Sequence, residues 1–259
     1  MDWVYTLSGL VVGFIVGLTG VGGGSLMTPI LVLAFGISPA FAVGTDLLYA
    51  SVTKAGGSLI HGWRGNVDWS VAGLLAAGSL PASALTTLML KYFTPDIRSS
   101  SGLITVTLGV ALILTALALV LKVPLRDYAR RRFAHRPPWS AKAIAIATFV
   151  TGILLGVCVT VSSIGAGALG AAILFFLYPK FSAIKIVGTD IAHAVPLTAV
   201  AGIGHIALGT VNWDLLASLL VGSLPGIYFG SYLGSRIPER VLRPTLAVML
   251  VFVGGRLVF

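Results

Sequence analysis

The sequence predicts an all-α polytopic membrane protein. It is made of two homologous, inverted repeats, each of four long transmembrane helices plus a short glycine-broken helix. Three observations carry that prediction. The first is composition: of 259 residues, 57% are hydrophobic and 10% charged, with a mean hydropathy of +1.01, whereas a soluble domain carries about a quarter charged residues. Seven of the basic residues lie between Lys122 and Lys142, and no stretch is polar enough to face water around a core. A soluble enzyme and an extracellular binding domain are both excluded. The second observation is an internal repeat, and the third is a pair of overlong apolar segments broken at matching places.

A spanning helix needs about 20 apolar residues. The first apolar piece, 3–36, has no charge and is interrupted at Gly20-Val21-Gly22-Gly23-Gly24-Ser25. It is too long for one span and short for two, and a glycine run lets the backbone turn. Next come 39–60, which contains Asp46 and Lys54, then 70–90 and 99–121. The stretch 122–142 is a basic linker, expected to be cytoplasmic. Beyond it, 143–178 is again overlong and is broken at Ser162-Ser163-Ile164-Gly165-Ala166-Gly167. The spans 182–208 (with Asp190), 213–235 and 241–258 follow. The expected organisation is therefore a first repeat at 1–121, the linker at 122–142 and a second repeat at 143–259.

The repeat is read directly. Positions 144 apart pair Gly44-Thr45-Asp46 with Gly188-Thr189-Asp190, and Gly78-Ser79-Leu80-Pro81 with Gly222-Ser223-Leu224-Pro225. The same offset pairs His61 with His205, Gly65 with Gly209 and Trp69 with Trp213. Upstream, an offset one residue shorter pairs Gly13, Gly22 and Gly24 with Gly156, Gly165 and Gly167. Charge placement then orients the halves. If each broken piece crosses once, the repeats are parallel. Nine basic residues then face inward (Arg64, the linker seven, Arg256), against seven outward (Lys91, Arg98, Lys180, Lys185, Arg236, Arg240, Arg243). If each piece crosses and returns, thirteen face inward and only Lys91, Arg98 and Arg256 face outward, leaving Lys54 in the membrane. The positive-inside tendency favours the second arrangement, and an odd number of passes per half inverts the repeats. The return segments, 25–35 and 168–178, are expected to be short or half-depth helices.

Matched, glycine-interrupted segments are the best sequence pointer to a transporter's central site. Gly22, Gly23, Gly24 and Ser25 can present backbone N–H groups at a helix start, as an anion cradle, and Gly165, Ala166 and Gly167 can do so from the other side. The competing reading is close helix packing through small residues. Asp46 and Asp190 interrupt apolar runs, where a carboxylate is expensive and faces a cavity or a partner; proton coupling and helix capping both fit. Thr45 and Thr189 accompany them as further lining residues. Lys54, matched by Thr198, has three readings: an ion pair with Asp46 two turns away, a contact to an anion, or a snorkelling side chain. His61 and His205 suit interfacial hydrogen bonding or titration, and His193, one turn after Asp190, is placed to bond it. Trp69 and Trp213 read as interface anchors.

The remaining signals are negative. The net charge of +9 comes from basic gaps between apolar runs, not from the basic face of a nucleic-acid module. Cys158 is alone, so no intramolecular disulfide is expected. Met1-Asp2-Trp3 lacks the basic region of a secretory signal, so the first apolar run is expected to stay in the protein. Gly165-Ala166-Gly167-Ala168-Leu169-Gly170 spells a dinucleotide fingerprint, but without a preceding strand it has no such meaning. No metal site, cofactor or catalytic set is indicated, and the chain is expected not to be an enzyme.

Gly-Leu-Thr-Gly-Val-Gly-Gly-Gly-Ser at 17–25, Thr-Pro-Ile-Leu at 28–31, and Val-Gly-Thr-Asp at 43–46 followed by Lys54 and His61-Gly62 together resemble the sulfite exporter TauE/SafE family. The resemblance runs over nearly the whole chain. It implies a multi-pass transporter of the bacterial inner membrane for sulfur-containing anions: sulfite, sulfonates or related organosulfur acids. The second glycine cluster departs from the first, with Ala166 and Ala168 where Gly23 and Ser25 stand. The expected partners are a small anion, protons and the lipid bilayer, with a homodimer among the admissible assemblies. The alternative function is an anion channel or a non-transporting membrane scaffold.

Overall fold

A computed structural model describes residues 3–19, 24–93, 101–133 and 139–234, with 247–248, 251–252 and 254–255. In chain order the helices are α1 (Trp3–Thr19), α2 (Gly24–Leu33), α3 (Pro39–Trp63), α4 (Trp69–Phe93), α5 (Ser101–Phe133), α6 (Ala141–Ser162), α7 (Leu169–Leu177), α8 (Ala183–Ala207) and α9 (Trp213–Gly234). Among the described residues there is no strand. Among the described residues, four helices are long and apolar enough to cross a membrane: Trp69–Phe93, Ala141–Ser162, Ala183–Ala207 and Trp213–Gly230.

The internal repeat reappears in the helix boundaries. α3 and α8 are each 25 residues long, and their ends fall at equivalent positions of the two halves. The overlong segments resolve into a long helix and a short one. α2 has 10 residues and α7 has 9, so at 1.5 Å per residue each covers roughly half of a hydrocarbon core about 30 Å thick. One boundary differs from expectation. α5 does not stop at 121 but runs through Pro124 to Phe133, taking up half of the basic linker. The Leu, Arg and Ala residues there are strong helix formers, and their charge does not break a helix that has left the apolar layer.

The two halves are interleaved. α1 packs on α9, α4 on α6 and α3 on α8, so the principal helix pairs join one half to the other. Glycines make this possible. Gly9 and Gly13 of α1 lie against the backbone of Leu219 and Ser223, while Gly152 and Gly156 of α6 lie against Leu75 and Ser79. These are the same contacts at equivalent positions. From the other side, Gly222, Gly226 and Gly230 of α9 meet the backbone at Thr6, Leu10 and Phe14. Small residues at this spacing let helix backbones approach where lipid offers no hydrophobic drive. The interior is filled by Met27, Leu31, Leu108, Leu112 and Leu219 on one side and by Val43, Leu47, Leu155, Val159 and Leu197 on the other. Leu7, Val110, Leu117, Leu154, Val221 and Phe229 stand exposed on the outer faces, as a lipid-facing surface requires.

Two joints tie the halves end to end. The Asp68 backbone N–H donates to Thr189 Oγ1 at 2.9 Å, and the Asn212 N–H donates to Thr45 Oγ1 at 3.1 Å. Each acceptor threonine thus caps the loop that enters α4 or α9 of the other half. The glycine before it, Gly44 or Gly188, has no room for a Cβ beside the Thr210 or Asn66 carbonyl. The loops turn identically, at Gly65 with φ +67° and Gly209 with φ +68°. Asp68 and Asn212 also cap their own helices, accepting from the N–H of Val71 and Leu215 at 3.2 and 3.1 Å.

Only one joint carries an ion pair. Lys185 Nζ lies 3.0 Å from the second Asp68 oxygen, while Phe41 and Asn212 stand at the equivalent positions of the other joint. Partial burial raises the Asp68 carboxyl, but the Lys185 hydrogen bond and charge and the Val71 and Ser70 N–H groups outweigh it and hold it below the ordinary carboxylate range. A depressed carboxylate contributes stability that is complete above its unfolded value and fades as pH falls through the folded one. Lys185→Ala and Asp68→Asn are therefore expected to lower stability by up to about 1 kcal/mol near neutral pH, discounted for solvent screening of a half-exposed pair. Thermal melts should show that gap close below about pH 4 and shrink in molar salt. A gap constant across pH would mean that the pair is not the source.

Candidate functional site

The halves meet at their centre where α3 crosses α8. Ser51 Oγ lies 3.5 Å from the Val195 carbonyl, and these two residues occupy the same position in the two repeats. The polar side chains of interest cluster around this crossing. Asp46 and Asp190 are 0% and 1% exposed and Lys54 is 6% exposed. Burial of this kind is retained only for groups that are paired or in use.

The break between α6 and α7 lies alongside. Ser163 ends α6 in a left-handed conformation, φ 58°, with its N–H on the Val159 carbonyl. The Ser162 hydroxyl accepts from the Ile164 N–H at 3.2 Å. Gly165 and Gly167 then adopt φ +131° and +125°, which favour glycine, so the chain leaves one helix and starts the next inside the bundle. Irregular backbone survives there because it is buried in protein. The Lys54 ammonium reaches across from the other half and donates to the Ala166 carbonyl at 3.2 Å. The charges of Asp46 and Asp190 both act on it. Lys54 therefore bridges the first repeat to the broken backbone of the second and does not snorkel. Asp190 lies against Gly170 in the first turn of α7, where a Cβ would collide with its carboxylate. Asp46 accepts from the Thr28 hydroxyl of α2 at 2.5 Å, and the Ser163 hydroxyl faces the same carboxylate.

The other expected site residues divide clearly. Gly22 and Gly23 lie outside the described residues, and Gly24 and Ser25 form the first turn of α2. Thr45 and Thr189 serve the end joints with their hydroxyls. The expected bond between His193 and Asp190 is not made: His193 Nε2 pairs with Ser79 Oγ of the other half at 2.8 Å, and its Nδ1 has no partner. Tyr49, the equivalent residue, faces Ser223, the equivalent of Ser79. His205 is fully engaged, by Thr210 Oγ1 at 2.8 Å and the Thr160 carbonyl at 2.9 Å. His61 is half-buried beside Gly188. The sequence reading missed Thr28, Ser79, Ser163 and Ser223 as participants. For Ser79 and Ser223 the signal is the repeated Gly-Ser-Leu-Pro, whose recurrence carries a polar side chain at matching places as well as the register.

A helical bundle with apolar outer faces, a helix break in its interior and ionisable side chains buried beside that break has the plan of a membrane transporter. The chain belongs to the sulfite exporter TauE/SafE family, whose model matches residues 5–257. It is 38% identical to a Bacillus subtilis protein named "Probable membrane transporter protein YjnA" over 253 residues, covering 97% of this chain and 98% of that protein. It is 27% identical to B. subtilis YdhB over 251 residues, covering 95% and 96%. It is 26% identical to Escherichia coli YfcA over 254 residues, covering 96% and 87%. Both carry the same description. No solved structure matches the chain.

Proposed function

We propose that this protein is a secondary transporter that moves small sulfur-containing anions, such as sulfite or sulfonates, across the bacterial inner membrane, as an exporter coupled to the proton gradient. The observation that carries the reading is the central cluster: two buried carboxylates at equivalent positions, one lysine between them, and that lysine on the carbonyl of a helix break. The anion sits at the bilayer midplane between the repeats. Backbone N–H groups at 24–25 and 165–167 donate to it, and helix starts favour negative charge. Lys54 supplies positive charge. Protonation of Asp46 or Asp190 removes a repelling charge, which links anion movement to the proton gradient. The substrate class comes from the family's name and the coupling from the buried acids. Proteoliposomes loaded with sulfite or a small sulfonate test it: an imposed pH gradient is expected to drive accumulation. Flux indifferent to the gradient would favour a channel, and absence of flux for every sulfur oxyanion would remove the substrate class.

Inverted repeats belong to the same proposal. In the parallel arrangement Arg64 and Lys185 lie on opposite faces of the membrane; in the inverted one they share the cytoplasmic face. The ion pair between Lys185 and Asp68, four residues after Arg64, supports inversion. In a Cys158→Ser background, Arg64→Cys and Lys180→Cys are expected to react with an impermeant thiol reagent from the cytoplasmic side only, and Ala34→Cys from the outside only. Reaction of Arg64→Cys and Lys180→Cys from opposite sides would defeat inversion.

A further inference from the structure

The Lys54 ammonium lies in surroundings that suit a bare cation better than a lysine. It is 6% exposed and donates to a main-chain carbonyl at a helix break, Ala166 O at 3.2 Å. Two further oxygen-bearing groups belong to the same cluster: the Asp46 carboxylate and the Ser163 hydroxyl. Both residues are buried, at 0% and 4% exposure, and they face each other. Asp46 on α3 and Asp190 on α8 both attract the ammonium, and His193 of α8 is the other titratable group within reach of its charge. Carbonyls freed by a broken helix, carboxylates and hydroxyls are the oxygen ligands that hold sodium ions and protons in transporters with discontinuous helices. A lysine ammonium is strongly hydrated, and burying it is costly unless it is compensated. The position is also unmatched across the repeat: Thr198, the equivalent residue, turns its hydroxyl back on the Ala194 carbonyl at 2.9 Å. One ammonium therefore serves both carboxylates.

We infer that Lys54 is the built-in occupant of a small-monovalent-cation site formed by the α6–α7 break and Asp46. The wild-type protein accordingly takes up no sodium there, and removing the lysine opens the site to a free ion. A simple ion pair between Lys54 and Asp46 makes no such demand. In that case the variant is destabilised to the same degree in every salt. The inference concerns ion occupancy in the resting protein and is independent of which anion is carried.

The test is a thermal melt of purified Lys54→Ala in detergent at constant ionic strength, in chlorides of lithium, sodium, potassium, methylammonium and choline. The expected result is a rise of several degrees in at least one small cation relative to choline, saturating with concentration. Wild type should show no such difference, and Lys54→Ala/Asp46→Asn should lose it. Lys54→Ser, which leaves a hydroxyl near the vacated position, is the second variant and should behave as Lys54→Ala does. Equal melting of both single variants in every salt overturns the inference, as does equal aggregation of both in all of them. An identical cation shift in wild type also overturns it, because the ion would then bind elsewhere.

Discussion

Gly222→Val is expected to prevent the protein from folding. A Cβ at Gly222 overlaps the Thr6 carbonyl oxygen and crowds the Leu10 N–H. Both are main-chain atoms of a helix and cannot rotate away as a side-chain tip can. Overpacking a core costs about 1–3 kcal/mol, and more where the neighbour is rigid, so a loss at or beyond the top of that range is expected. A fluorescent-protein fusion read by size exclusion in detergent should change from a single peak to aggregate. Gly73→Val is the control. Gly73 is also inside a helix, on α4, but a Cβ there meets nothing, so the fusion should elute as wild type. Wild-type elution and melting of Gly222→Val would mean that α1 and α9 do not approach this closely.

Asp46→Asn and Asp190→Asn are expected to keep anion exchange and to lose the response of net flux to a pH gradient, by at least tenfold. Asparagine preserves the shape of each side chain and can still accept from Thr28 in the case of Asp46, but it carries no titratable proton. The equivalent positions of the two acids make the pair of variants informative. Loss in one alone assigns the proton to that half, and loss in both makes the two acids a joint carrier. Normal pH-driven flux in both excludes them as coupling groups and leaves His193, whose Nδ1 is buried without a partner, as the next residue to replace.

Much of this architecture was readable from the chain because the repeat fixes it. A shared tripeptide and tetrapeptide set the register, the glycine runs marked where overlong apolar segments turn, and the short helices α2 and α7 fall within two residues of their expected limits. Cross-repeat contacts were not readable. Thr45 stands next to a buried acid, and sequence proximity suggested a common site. Its hydroxyl instead serves Asn212, 167 residues away, and no local periodicity encodes such a pairing. His193 misled for a related reason. A separation of three residues puts it near Asp190 on the helix, but the ring reaches across the interface to Ser79. The length of α5 was hidden by its charges, which mark where a helix leaves the bilayer rather than where it ends.

The interleaving of the halves also sets a schedule for synthesis. α1 emerges first, yet the helix that covers its glycine face, α9, is made about 200 residues later. At about 5–20 residues per second, α1 waits roughly 10–40 s in the membrane with that face against lipid or insertion machinery. α4 waits a much shorter time, because α6 follows after one helix and a linker. The second half therefore finds its partners already inserted, whereas α1 has the longest wait among the principal helix pairs. Any factor that shields nascent membrane helices has its longest task at residues 6–14.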